Sequence, residues 1–157
     1  MPSSGTLPEI GSWVTVKDPA SGYTFKLPTK PKVLTPPVTA PDGSPVKIRA
    51  YQSLINPTFV VQVSVYDLAG RTFDTDKAIN GVATSTRGTV TSRVHRSSGG
   101  LDVVDARISL RNGTASSFNR VFKKGDYAVQ MQALGLTTDE TQIRLAQRLL
   151  NASFQGG

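Results

Sequence analysis

Basic residues crowd one stretch of this sequence. Between positions 87 and 124 lie eight of them: Arg87, Arg93, Arg96, Arg107, Arg111, Arg120, Lys123 and Lys124. Only two acids, Asp102 and Asp105, share that stretch, which therefore holds +6 of a formal net charge of +7. Guanidinium forks match the paired oxygens of phosphates and carboxylates, so anion binding is the chemistry such a stretch could perform. Alternation along extended backbone sorts the residues onto faces. In the segment 101–111, Val104, Ala106, Ile108 and Leu110 point one way, and Asp105, Arg107, Ser109 and Arg111 the other. In the segment 89–96, turning Val90 and Val94 to the core turns Arg93 and His95 outward. If the two segments pair, Arg93, His95, Arg107 and Arg111 form one anion-binding patch. Lys47 and Arg49 extend its margin if their strand lies nearby. A merely solvated sheet face would have the same composition.

Other chemistries find little support. There is no Cys, and His95 is the one histidine, so thiol nucleophiles and Cys- or multi-His metal sites are excluded. Asp74 and Asp76 stand where a helix begins, as do Asp139 and Glu140, and capping explains them. Asp102 and Asp105 fall on opposite strand faces and cannot share a site. Ser98-Gly99-Gly100 lacks the setting of a nucleophile elbow, and no glycine-rich loop joins a strand to a helix. The expectation is a non-enzyme with no cofactor and no metal. Nucleic acid is disfavoured as a partner: aromatics are 7% of the chain, and Phe25, Phe59 and Phe122 sit at core positions.

The elements that must position these residues are mostly strands. The chain has 157 residues, about a quarter of them Leu, Ile, Val or Phe, enough for one core. Residues 1–12 read as a linker, and 13–157 as a single domain. Trp13–Lys17 and Tyr23–Leu27 alternate around a Pro-Ala-Ser-Gly turn, predicting a hairpin. Prolines make 30–39 an edge strand at best. Val46–Ser53 and Thr58–Tyr66 follow, the latter apolar on both sides and therefore central. A short helix is expected over 75–87 with Asp74 as its cap. Strands are expected over 89–96, 101–111, 116–123 and 127–134, then a closing helix with Ile143, Ala146 and Leu150 in its buried stripe. Short connections and no βαβ rhythm predict an α+β fold: an antiparallel sheet of six to eight strands with a mid-chain and a C-terminal helix packed on it.

Certain residues carry a resemblance. Tyr23-Thr24-Phe25-Lys26-Leu27-Pro28-Thr29-Lys30-Pro31 looks like a hairpin strand ending in a Leu-Pro-x-x-Pro turn. The helix from Asp74 follows the long central strand. Leu149-Leu150-Asn151-Ala152-Ser153-Phe154 looks like a closing helix with a terminal Ser-Phe. In these features the sequence resembles the PsbP-like domains, and most of all the small exported proteins and lipoproteins of actinobacteria, the LpqN kind. The resemblance implies a binding or assembly module of the cell envelope, secreted or lipid-anchored. Residues 1–5 look unlike a signal peptide, and no apolar run reaches the ~18 residues of a membrane span, so any anchor would precede this sequence. The basic face then suggests anionic lipid or acidic cell-wall polymer as the ligand. Two alternatives stay open. One is an apolar ligand or a protein partner in a cleft between sheet and last helix, lined by Phe59, Val61, Met131 and Leu145. The other is a cytoplasmic trafficking adaptor of the same fold.

Overall fold

The computed structural model describes residues 7–39 and 43–156. Among the described residues seven strands precede the first of two α-helices, and four more strands lie between the helices. Strands β1 (Val14–Lys17) and β2 (Thr24–Leu27) form the expected hairpin. β3 (Lys32–Leu34) is a short edge strand, as its flanking prolines demand. β4 (Val38–Thr39) and β5 (Pro45–Val46) pair only with each other. β6 (Ile48–Asn56), β7 (Phe59–Asp67), β8 (Thr89–Ser98), β9 (Leu101–Leu110), β10 (Ala115–Lys124) and β11 (Tyr127–Leu136) are long. With β3 they make a seven-stranded antiparallel sheet in the order β3-β6-β7-β11-β10-β9-β8. The fold is α+β, with α1 (Thr75–Thr86) on one face and α2 (Glu140–Ser153) on the other.

β7 shows why the sheet holds. Phe59, Val61, Val63 and Val65 share one face, and all four are fully buried. They meet Met131 and Ala133 of β11 and the Ile143, Ala146 and Leu150 stripe of α2 in the main core. Burying each such side chain is worth about 1.5–3 kcal/mol. Consequently the cleft expected around Phe59, Val61, Met131 and Leu145 is filled. The first three are core residues under α2, and the helix stripe occupies the space a ligand would need.

The hairpin clamps the end of α2. Thr24 and Gln155 exchange two backbone hydrogen bonds, at 2.9 and 2.8 Å. The Lys26 amide donates to Ser153 Oγ at 2.9 Å. Tyr23 and Phe122 pack edge-on against Phe154, which docks the chain end as its position suggests.

α1 starts where Asp74 accepts hydrogen bonds from the Asp76 and Lys77 amides. It ends at Arg87, in the left-handed region at φ 55°. Ile79 and Ala83 are its buried contacts, on Val104, Ala106 and Val121 and on Ile108, Leu110 and Ala115. Gly88 follows at a close approach: a Cβ there would stand 2.6 Å from both Ile108 Cγ2 and Leu110 Cδ2. Gly88→Ala is therefore expected to destabilise by about 1–3 kcal/mol, read as a lower urea midpoint at unchanged slope. An unchanged midpoint would mean that this corner repacks freely.

Candidate functional site: the arginine groove

The strand faces decide which basic residues meet. The β8–β9 register shifts between Val90, opposite Ile108, and Ser92, opposite Arg107. One extra residue, Thr91, makes a β-bulge there, and everything beyond it changes sides. Val90 lies on the α1 face, but Ser92, Val94 and Arg96 lie on the α2 face with Asp105 and Arg107. Arg93 and His95 return to the α1 face. There Arg93 Nη1 donates to Asp76 Oδ1 at 2.8 Å, its Nη2 reaches Asn80, and His95 Nε2 stands 3.2 Å from Asp76.

The single patch expected of Arg93, His95, Arg107 and Arg111 is thus divided by the sheet. Strict alternation does not survive a bulge. Arg111 is exposed in the turn after β9, past the strand, at φ 49°. Arg49 and Lys47 do not extend the patch either, because β6 is separated from β9 by three strands. Arg49 is engaged inward, its Nε donating to the buried Asp18 carboxylate at 2.5 Å. Lys47 is exposed.

What the α2 face assembles instead is a groove of about 710 Å³ between the strands β8–β10 and α2. Arg96, Arg107 and Arg120 reach it from the sheet, Arg144 and Arg148 from the helix. Phe118 lies between Arg107 and Arg144, whose guanidinium carbons are 6.0 and 5.1 Å from its ring centre. Both distances allow cation–π attraction. Val94, 42% exposed, adds an apolar strip.

Two carboxylates serve these cations. Asp105 receives Arg96 Nε at 2.9 Å and Arg120 Nε at 2.8 Å. Glu140 receives Arg107 Nη2 at 2.6 Å and Arg144 Nη2 at 3.3 Å. The hydrogen bonds from Arg107 are the main reason that the Glu140 carboxyl is held below its usual range. Arg148 has no hydrogen-bond or ion-pair partner among the described residues. Each carboxylate is shared by two guanidiniums and Arg148 stands alone, so the groove keeps a surplus of three positive charges. Arg96 and Arg144 are 56% and 60% exposed in their side chains, free enough to turn toward a ligand. Arg107 and Arg120 are half-buried and form the fixed base.

The N-terminal end of α2 is bolted to this site. Arg107 Nη2 donates to Ser116 Oγ at 3.0 Å, and Ser116 shares a hydrogen bond of 3.0 Å with Thr137. Ser116 is fully buried, which removes it from contact with any substrate. Gln147 adds a second tie, its amide donating to the Met131 carbonyl at 2.9 Å. Among the described residues no three His, Cys, Asp or Glu side chains are grouped to hold a metal ion. Nor is any described helix long and apolar enough to cross a membrane.

Arg107 is the one predicted site residue in this groove. Arg96 and Arg120 belonged to the basic stretch, but only the bulge and the β9–β10 register place them. Arg144 and Arg148 lay outside the stretch altogether. Their signal was the four-residue spacing from Glu140 along one exposed helix edge.

No protein-family model matches this sequence, and no curated protein does. Solved structures match by shape. The solution structure of the cyanobacterial PsbP, CyanoP, from Synechocystis sp. PCC 6803 aligns over 95% of each chain with a TM-score of 0.67 and 14% identity. PA94 of Pseudomonas aeruginosa, a protein of unknown function described as a putative regulator, aligns over 88% of this chain and 92% of its own, with a TM-score of 0.46 and 9% identity. LpqN of Mycobacterium tuberculosis, described as involved in cell envelope biogenesis, aligns over 96% and 81%, with a TM-score of 0.43 and 15% identity. The hairpin, the seven-stranded sheet and the two helices on its opposite faces are those of the PsbP-like fold.

Proposed function

We propose that this protein is a non-enzymatic binding module of the cell envelope whose arginine groove holds an anionic ligand, with an anionic lipid surface as first choice and an acidic wall polymer as the other source of the same chemistry. The observation that carries the reading is the convergence of five guanidiniums and two carboxylates on one groove. Both carboxylates are engaged twice, so neither is free to act as a general base, which supports a binding role over catalysis. The groove is open, and its three most exposed cations, Arg96, Arg144 and Arg148, line its outer part. The envelope setting rests on the sequence resemblance to exported PsbP-like proteins.

Vesicles of phosphatidylcholine containing phosphatidylglycerol test this. Each cation near an anionic surface contributes about 1 kcal/mol. Arg96→Ser with Arg144→Ser and Arg148→Ser should therefore weaken binding on the order of 100-fold. The wild-type affinity should also fall as salt rises. A control with Lys17→Ser, Lys32→Ser and Lys123→Ser removes the same charge from other surfaces and should lose far less. Equal losses in the two variants, or salt-insensitive binding, would overturn the groove as the site. Binding to soluble poly(glycerol phosphate) without vesicle binding would identify the polymer as the source.

A further inference from the structure

The opposite face carries a second groove of different chemistry. α1 packs on β8, β9 and β10 and leaves the β11 and β7 side of that face open. Between α1 and those strands lies a groove of about 890 Å³. Gln130, Gln132 and Tyr66 line it from the sheet, Phe73 and Lys77 from the α1 side, and Val38 and Thr39 of β4 close its far edge.

Beside the apolar Val121, its floor carries two glutamine amides and a phenol, where a sheet under a helix is ordinarily apolar throughout, and these polar groups are organised. Tyr66 Oη donates to Gln130 Oε1 at 3.1 Å. Gln130 Nε2 donates to Asn119 Oδ1 at 3.2 Å, and Asn119 Nδ2 to Ser117 Oγ at 3.0 Å. Asn119 and Ser117 are 2% and 1% exposed, so the chain of bonds is anchored in the interior. A buried network of this kind fixes the direction of the amide at its mouth. Gln132, next on the same strand face, is half-buried and has no side-chain partner among the described residues. One amide donor and one amide acceptor therefore stand ready beside an oriented neighbour. Gly81 recesses the helix wall, since a Cβ there would meet nothing within 4 Å. Lys77 is balanced by Asp74, so the lining has no net charge.

We infer that this α1-side groove binds a neutral sugar chain. Such a ligand needs donors and acceptors side by side, which the glutamine amides provide. It also presents C–H faces, which suit the partly exposed rings of Tyr66 and Phe73. A charged ligand gains nothing here that the arginine groove does not offer better. The inference is independent of the anion reading, because it uses the other face of the sheet.

The test is a titration of the full ¹⁵N-labelled chain with two neutral probes, maltotetraose and chitotetraose, followed at the side-chain NH₂ signals. The Gln130 and Gln132 signals should shift with at least one probe. Gln132→Ala should weaken that binding about tenfold, the worth of one or two hydrogen bonds. Tyr66→Phe, which removes one of the two hydrogen bonds that orient the Gln130 amide, should weaken it several-fold with the fold intact. Arg144→Ser with Arg148→Ser should leave it unchanged, which separates this groove from the other. No shift with either sugar at millimolar concentration overturns the inference. So does a shift that Gln132→Ala leaves intact, or one produced by tetraglycine and by neither sugar.

Discussion

Replacing Asp18 by alanine should cost about 3–5 kcal/mol, lowering the melting temperature by roughly 10 °C. Asp18 is fully buried and takes four side-chain hydrogen bonds from three residues. Arg49 donates to both of its oxygens, at 2.5 and 2.9 Å. Tyr51 Oη donates at 2.5 Å and Ser21 Oγ at 2.6 Å. Removing the carboxylate leaves the mostly buried Arg49 guanidinium without its counter-charge, and that uncompensated charge dominates the cost. The double variant Asp18→Ala with Arg49→Met should accordingly be less damaged than the sum of the two single ones. Urea unfolding of the four proteins measures this, and an additive outcome would show that the pair is not coupled.

The same group sets a pH dependence. Burial by itself would raise the Asp18 carboxyl, but the hydrogen bonds from Arg49, Ser21 and Tyr51 outweigh it and hold the group far below the usual range. Burial, followed by the bond to Asp18, pushes the Tyr51 phenol up, so Tyr51 stays a donor. A carboxyl whose folded pKa is depressed stabilises the protein fully above its unfolded value of about 3.9, and loses that contribution as pH falls toward the folded one. The stability gap between wild type and Asp18→Ala should hold from neutral pH to about pH 5 and then shrink steadily on further acidification. A gap constant down to about pH 2 would contradict this ionic account.

Ile143→Ala is expected to cost about 3 kcal/mol, within the 2–5 kcal/mol span of buried Ile truncations. Ile143 is fully buried and lies against the sheet at Gly135, where a Cβ would stand only 3.0 Å from Ile143 Cδ1. The pocket is floored by backbone, which cannot collapse onto the smaller side chain, so a cavity remains. The effect on function should differ in kind from that on stability. Arg144 and Arg148 ride on the same helix but point away from Ile143. The helix keeps its other anchors, Leu150, the Gln147 bond to Met131 and the Arg107–Glu140 pair. Below its melting transition, Ile143→Ala should therefore bind phosphatidylglycerol vesicles within a few-fold of wild type. An unchanged melting temperature would contradict the docking of α2, and lost binding in the folded state would show that the groove depends on this contact.

Much of the architecture was legible in the sequence, for local reasons. Alternation in 13–17, 23–27 and 58–66 marked strands to within a residue at each end, and prolines around 31–37 confined that segment to the sheet edge. Asp74 and the Ile79/Ala83 spacing marked α1. Ile143, Ala146 and Leu150 marked the buried stripe of α2. The basic stretch between 87 and 124 was equally plain as composition. None of this located the groove. A bulge at Thr91 leaves no mark in a segment where threonine, serine and arginine suit either face, yet it moved Arg93 and His95 to α1 and brought Arg96 to Arg107. Asp18 and Arg49, 31 residues apart, pair only because the hairpin folds onto β6. Arg144 and Arg148 join the sheet arginines only because α2 packs across β10 and β11. Side-chain alternation and helical spacing are properties of a few neighbouring residues, so the elements and their apolar faces follow from local order along the chain. Which faces meet depends on register and on packing between distant segments, and the place where the charges converge therefore emerges only when the strands pair and α2 docks.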